Sequence, residues 1–186
     1  GQGILGGITV LTGLHPATVA AHFLLSIVLI AGATSLRAQR FANFEKNNPE
    51  ALVRKIATVH IVMTFVVLFI GTLVTGSGPH AGDATAPRFP FDLRTMAWIH
   101  ADVVIALLGL TLALYIATRT NALHRRRITI FTIIALAQGA IGYIQYFTGI
   151  PEILVAAHLL GATLVWIAAW RIRIAITTSP TAVQFS

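Results

Sequence analysis

Cysteine is absent from the 186 residues. That excludes disulfides, thiolate metal sites and cysteine nucleophiles. Acidic residues number only six, and charged residues of both signs make up 10% of the chain, against about 25% in an ordinary soluble domain. No Lys/Arg-led signal peptide opens the sequence, and there is no GxxxxGKS/T phosphate loop. What is present is apolar. Hydrophobic residues reach 56% and the mean hydropathy is +0.80, the composition of a chain that lives mostly in lipid. It opens at Gly1, inside an apolar run and without a methionine, so it is expected to be cut from something longer.

A membrane helix needs roughly 20 apolar residues. Six spans follow: A over 1–14, shortened at its start, B over 17–36, C over 56–76, D over 96–118, E over 128–149 and F over 153–175. The expected fold is an all-α integral membrane protein. Arg37, Arg40, Lys46, Arg54 and Lys55 lie between B and C. Arg119 and Arg125 to Arg127 lie between D and E, and Arg171 and Arg173 end F. Eleven of the thirteen basic residues thus fall on alternate connections, and only Arg88 and Arg94 lie on the other side. The positive-inside rule puts the basic loops and the C-terminus in the cytoplasm. The net charge of +7 then reads as a topology signal, and nucleic acid is not expected as a partner. The loop 77–95, rich in Gly and Pro, is expected to be irregular, and the tail 177–186 to be disordered.

The start of the chain recurs near its end. Shifted by 136, residues 1–24 match 137–160 at Gln2/Gln138, Gly3/Gly139, Gly6/Gly142, Thr12/Thr148, Gly13/Gly149 and His22/His158, among others. Apolar composition explains matching Ala, Val, Ile and Leu. It does not explain Gln, Thr-Gly and His in one register. A–B and E–F therefore read as copies of one hairpin, in the same orientation, with C and D between them. Parallel repeats of this kind occur among membrane proteins. If the unit is four helices, 56–176 is one complete half, 1–36 is the back of another whose first two helices are missing, and 37–55 is the cytoplasmic loop that joins them.

Seven histidines punctuate the chain. His22 and His158 each lie five residues into their span from the outer end and His100 lies four, so all three fall roughly 6–8 Å below the outer boundary at about 1.5 Å per residue. His60 lies near the inner end of C. His15, His80 and His124 fall in turns or loops. Ionisable groups inside a span are costly and mark functional sites; the plainer alternative is an interhelical hydrogen bond. Ligation is favoured for the three at one depth, and the plain reading for His60. Zinc would want four N, S or O ligands, and carboxylates are scarce. A haem wants one or two axial ligands and a flat apolar slot between helices, which the small residues Ala156, Ala157, Gly161, Ala162, Ala20 and Ala21 would leave. D and F run in the same direction, so His100 and His158 can face each other across one iron. The repeat puts the partner of His22 in the missing front piece. Asp102 would set an imidazole tautomer or relay protons, or else bond a neighbouring helix as an interfacial carboxylate. Trp98, Tyr143, Tyr146 and Phe147 fit an aromatic belt.

The stretches "QGILGGITVLTGLHPATVAAHFLLS", "VTGSGPHAGD", "IHAD" and "QYFTGIPEILVAAHLLGATLVW" together resemble haem A synthase, most closely its actinobacterial branch. The resemblance runs over nearly the whole chain, as the third to eighth helices of an eight-helix protein. It implies oxidation of the C8 methyl of haem O to a formyl group, giving haem A for terminal oxidases. It implies haem b as cofactor, held by His100 and His158, and His22 as a ligand of the substrate haem O. A catalytic carboxylate three residues before a histidine is expected upstream of Gly1; in "AWIH" the corresponding place is Ala97. The absence of cysteine sets this chain apart from members that carry a cysteine pair in an outer loop. The resemblance further implies a bacterial plasma membrane location with the haem sites near the outer face. Its expected partners are membrane lipid, haem O synthase and oxidase assembly factors, with a homo-oligomer left open. The competing readings are an electron-transfer di-haem cytochrome that modifies nothing, and a transporter. Transporters place their sites near the midplane, which these histidines are not.

Overall fold

A computed structural model describes residues 1–41, 44–46, 48–79 and 85–180. Among these it contains six helices: α1 (Gln2–Leu11), α2 (Pro16–Phe41), α3 (Ala51–Ser77), α4 (Leu93–Ala117), α5 (Ala122–Phe147) and α6 (Glu152–Thr177). Five are long and apolar enough to cross a membrane. The chain is a multi-pass membrane protein. The reading of six spans needs one correction, because α1 has only ten residues. At about 1.5 Å per residue it rises roughly 15 Å, half a hydrocarbon core.

The helices begin and end where local chemistry directs. The Asp92 side chain accepts from the Thr95 amide at 2.8 Å and from the Thr95 hydroxyl at 2.7 Å, capping α4. Those bonds hold the exposed Asp92 carboxyl below its ordinary pKa. Asn121 caps α5 through the His124 amide at 3.1 Å. The α1–α2 and α5–α6 turns are the same turn. Gly13 and Leu14 stand at φ 63° and 56°, and Gly149 and Ile150 at 78° and 59°. The Leu14 amide donates to the Thr9 carbonyl at 2.9 Å, and the Ile150 amide to the Gln145 carbonyl at 2.8 Å. The 136-residue repeat thus extends to backbone conformation.

Helices α3 to α6 close a four-membered ring: α3 packs on α4 and α6, and α5 on α4 and α6. Helix α2 lies outside this ring against α6 and α3, and α1 packs chiefly on α2. Two tryptophans fasten α2 to the ring. Trp166 Nε1 donates to the Ile27 carbonyl at 2.6 Å and Trp170 Nε1 to the Ser35 hydroxyl at 2.7 Å. The outward residues of α1 stay exposed, Leu11 at 88% and Ile4 at 72%.

The core lies toward one end of the bundle. Buried there are Ile27 and Ala31 of α2, Val53 to Leu68 along α3, Leu107 and Leu114 of α4, Phe131 of α5 and Val165 to Ile176 of α6. At the other end the first half of α4 has no buried residue, the last twelve residues of α5 only Gln145, and the first half of α6 only Gly161.

Three boundaries differ from the sequence reading. Helix α2 runs on to Phe41 and α3 begins at Ala51, which shortens the expected loop 37–55. Charged residues such as Arg54 and Lys55 continue a helix beyond the lipid at no cost, so hydropathy undercounts its length. The tail is not wholly unstructured: β2 (Thr178–Pro180) pairs antiparallel with β1 (Phe44–Lys46), Glu45 opposite Ser179. Residues 181–186 lie outside the described residues. The loop after α3 is irregular where described, with Phe89 seated over Gly76 through a bond from its amide to the Gly76 carbonyl at 2.9 Å.

Gly149 has open space around it and a left-handed φ, so a side chain there meets only a backbone penalty. Gly149→Ala is expected to lower stability by about 1 kcal/mol, read from thermal unfolding in detergent. No loss would contradict the conformational role given to this turn.

Candidate functional site

His22, His100 and His158 lie six, seven and six residues from the first residues of α2, α4 and α6. At about 1.5 Å per residue these are depths of roughly 9–10 Å along helices of one direction. All three are partly buried and sit in the thinly packed half of the bundle.

Each imidazole rests on a glycine of the preceding helix. A Cβ placed on Gly6 would meet His22 Cε1 at 3.4 Å, one on Gly71 would meet His100 Cε1 at 3.3 Å, and one on Gly142 would meet His158 Cε1 at 3.6 Å. The ring edge toward the glycine is the Cε1–Nδ1 edge in the first two cases, with Nδ1 at 3.9 and 3.7 Å. The Nδ1 atoms of all three histidines are buried and make no hydrogen bond of ordinary geometry. In a low-dielectric interior an unpartnered ring nitrogen costs on the order of 1–3 kcal/mol. His100 and His158 are near enough to interact electrostatically. Among the described residues there is no cluster of three or more His, Asp or Glu side chains able to hold a metal ion. Among the described residues the histidines thus stand singly or as a pair, without the ligand set of a zinc-type polyhedron.

This donor set fits a haem. An axial imidazole binds iron through one ring nitrogen and turns the other toward a protein acceptor. The orphaned Nδ1 atoms on a small-residue seat and the thin packing at that end both suit a flat macrocycle.

Of the glycines matched by the repeat within the helices, Gly3 and Gly139 face nothing within 4 Å, and Gly6 and Gly142 carry a ring. Gly161 is covered by the Gln138 side chain, whose amide a Cβ there would strike. The repeat partner Gln2 turns the same way, donating from Nε2 to the Ser26 hydroxyl at 2.8 Å. The conserved register of the two glutamines thus serves the packing of each hairpin.

The remaining candidates sort plainly. His60 is 1% exposed and pairs through Nε2 with the Thr111 hydroxyl at 3.1 Å, its ring edge-on to Phe131 at 4.7 Å. That is the interhelical hydrogen bond expected of it. His60 stands roughly 14 Å along α3 from Ala51, buried in the packed core. Asp102 is exposed and lines a shallow groove with Arg94, Thr95, Trp98 and Ile99. At about 100° per residue it points about 200° around α4 from His100. Trp98, Tyr143, Tyr146 and Phe147 are exposed, as a belt requires. His124 meets the Ala175 carbonyl at 2.9 Å, and His15 accepts from the Ala17 amide at 3.3 Å. His80 lies outside the described residues.

A model of the COX15-CtaA family, described as cytochrome oxidase assembly protein, matches residues 1–170. The chain belongs to this family. Searches among curated proteins and among solved structures gave no match. A family member of this kind has a role in cytochrome oxidase assembly. The matched stretch includes all three seated histidines and the glycines beneath them.

Sequence reasoning missed Gly71. The 136-residue register does not reach α3, so no repeat pointed to it. The available signal was a glycine in the outer third of C, which packs against the helix that carries His100.

His60→Ala is expected to leave the haem content of the purified protein unchanged while lowering its stability by about 2 kcal/mol, from the cavity and the lost bond. Pigment-to-protein ratio and thermal unfolding read the two effects. Loss of haem from a protein of unchanged fold would show His60 to be a ligand.

Proposed function

We propose that this protein is a haem A synthase: it oxidises the C8 methyl group of haem O to the formyl group of haem A. The observation that carries the reading is the His100–His158 pair. Two helices of one direction present imidazoles at one level, each with a ring edge on a glycine and Nδ1 buried without a hydrogen bond.

His100 and His158 would hold haem b from its two faces, and His22 would hold the substrate haem. Bound in this way, haem b supplies one-electron transfer. The chain contributes the rest. The Gly71 and Gly142 seats orient the rings, and the apolar walls keep water from the pocket. The Phe131–Trp166 core below keeps the helix ends apart at a fixed spacing. Ala97 stands three residues before His100, where a carboxylate would allow proton chemistry. The α3–α6 half is therefore assigned electron transfer rather than oxidation of the methyl group. The basic connections are assigned to the cytoplasm, which puts the three histidines toward the outer face of the plasma membrane. Haem O synthase would supply the substrate, oxidase assembly factors would receive the product, and membrane lipid surrounds both.

The test is pigment extraction from cells that make the whole gene product together with haem O synthase. The expected result is conversion of haem O to haem A, lost in His100→Ala and in His158→Ala. Haem b bound with haem O left unchanged would favour an electron-transfer cytochrome instead.

A further inference from the structure

The α3–α4 hairpin lacks the sequence repeat, yet it repeats the contact. Gly71 lies under His100 as Gly6 lies under His22 and Gly142 under His158. Three helix pairs, of which only two are visibly related in sequence, converge on one geometry. Plain helix packing does not demand this. Gly3, Gly7, Gly109 and Gly139 are also helical and have nothing within 4 Å of a Cβ. Gly76 and Gly161 are covered by Phe89 and by Gln138; the three glycines opposite a histidine are the ones that meet an imidazole.

At each of these glycines the imidazole is the nearest group to the place a Cβ would take, and the Nδ1 atoms of all three histidines are buried without a hydrogen bond.

We infer that Gly6, Gly71 and Gly142 are positioning residues that fix the plane of the histidine above them. A side chain at any of the three would press on the ring edge at 3.3–3.6 Å, so the bare helix surface sets how far each imidazole can turn and which plane it presents to a ligand. This inference rests on the reading of His100 and His158 as axial ligands.

The test is low-temperature electron paramagnetic resonance and redox titration of the whole gene product, purified with its haem. The low-field g value of a ferric bis-His haem reports the planes of its two imidazoles. Gly71→Ala would place a methyl 3.3 Å from His100 Cε1 and 3.7 Å from Nδ1. It is expected to shift both the g value and the midpoint potential with the haem-to-protein ratio unchanged. Gly142→Ala would place its methyl 3.6 Å from His158 Cε1, an ordinary van der Waals contact. It is expected to fold and to give a smaller shift in the same signal; it decides the matter if Gly71→Ala does not fold. Gly109→Ala is the control and should leave the signal in place. A bis-His signal that Gly71→Ala and Gly142→Ala leave as unchanged as Gly109→Ala does would overturn the seat alone. Absence of any bis-His signal from the unsubstituted protein would overturn the axial-ligand reading and the seat together.

Discussion

A histidine inside a membrane has two ring nitrogens to satisfy and no water to satisfy them. The structure handles this in two ways. His60, deep in the packed core, spends Nε2 on Thr111 and lays its ring against Phe131. It is finished as a structural element. His22, His100 and His158 each rest a ring edge on a glycine and leave Nδ1 without an ordinary bond. The same residue type thus takes two roles, and the difference lies in what the facing helix offers: a hydroxyl, or a surface without a side chain.

Packing follows the same division. One end of the bundle is a close-packed core from Ile27 through Phe131 to Ile176. The end with the three histidines has few buried side chains and a facing row of small residues. The close-packed end supplies the rigidity that the other lacks. Trp166 and Trp170 extend this rigidity to α2, since their indole N–H groups bond the Ile27 carbonyl and the Ser35 hydroxyl. Through α2 they also set the height of His22 relative to the ring of α3 to α6. A site held on long helices is more precise than one held on loops.

Much of this was legible in the sequence, because lipid imposes a simple code. Apolar runs located five crossing helices, and the shared depth of His22, His100 and His158 followed from counting residues. The 136-residue register predicted a common hairpin, and the structure repeats it down to the left-handed Gly13–Leu14 and Gly149–Ile150 pairs. What could not be read depends on contact between distant segments. Gly71 lies outside the repeat and takes its meaning only from His100 above it. Trp166 reads as one more apolar residue until Ile27 is found beside it. The pairing of 44–46 with 178–180 joins a polar loop to a tail, and nothing local announces it.

The central claim is that His100 and His158 share one iron. A structure of the haem-loaded whole gene product tests it most directly. The account predicts one haem iron with Nε2 of His100 on one face and Nε2 of His158 on the other, both Nδ1 atoms turned toward Gly71 and Gly142. A haem held by only one of the two, or the two histidines bonded to protein groups with no iron between them, would contradict it.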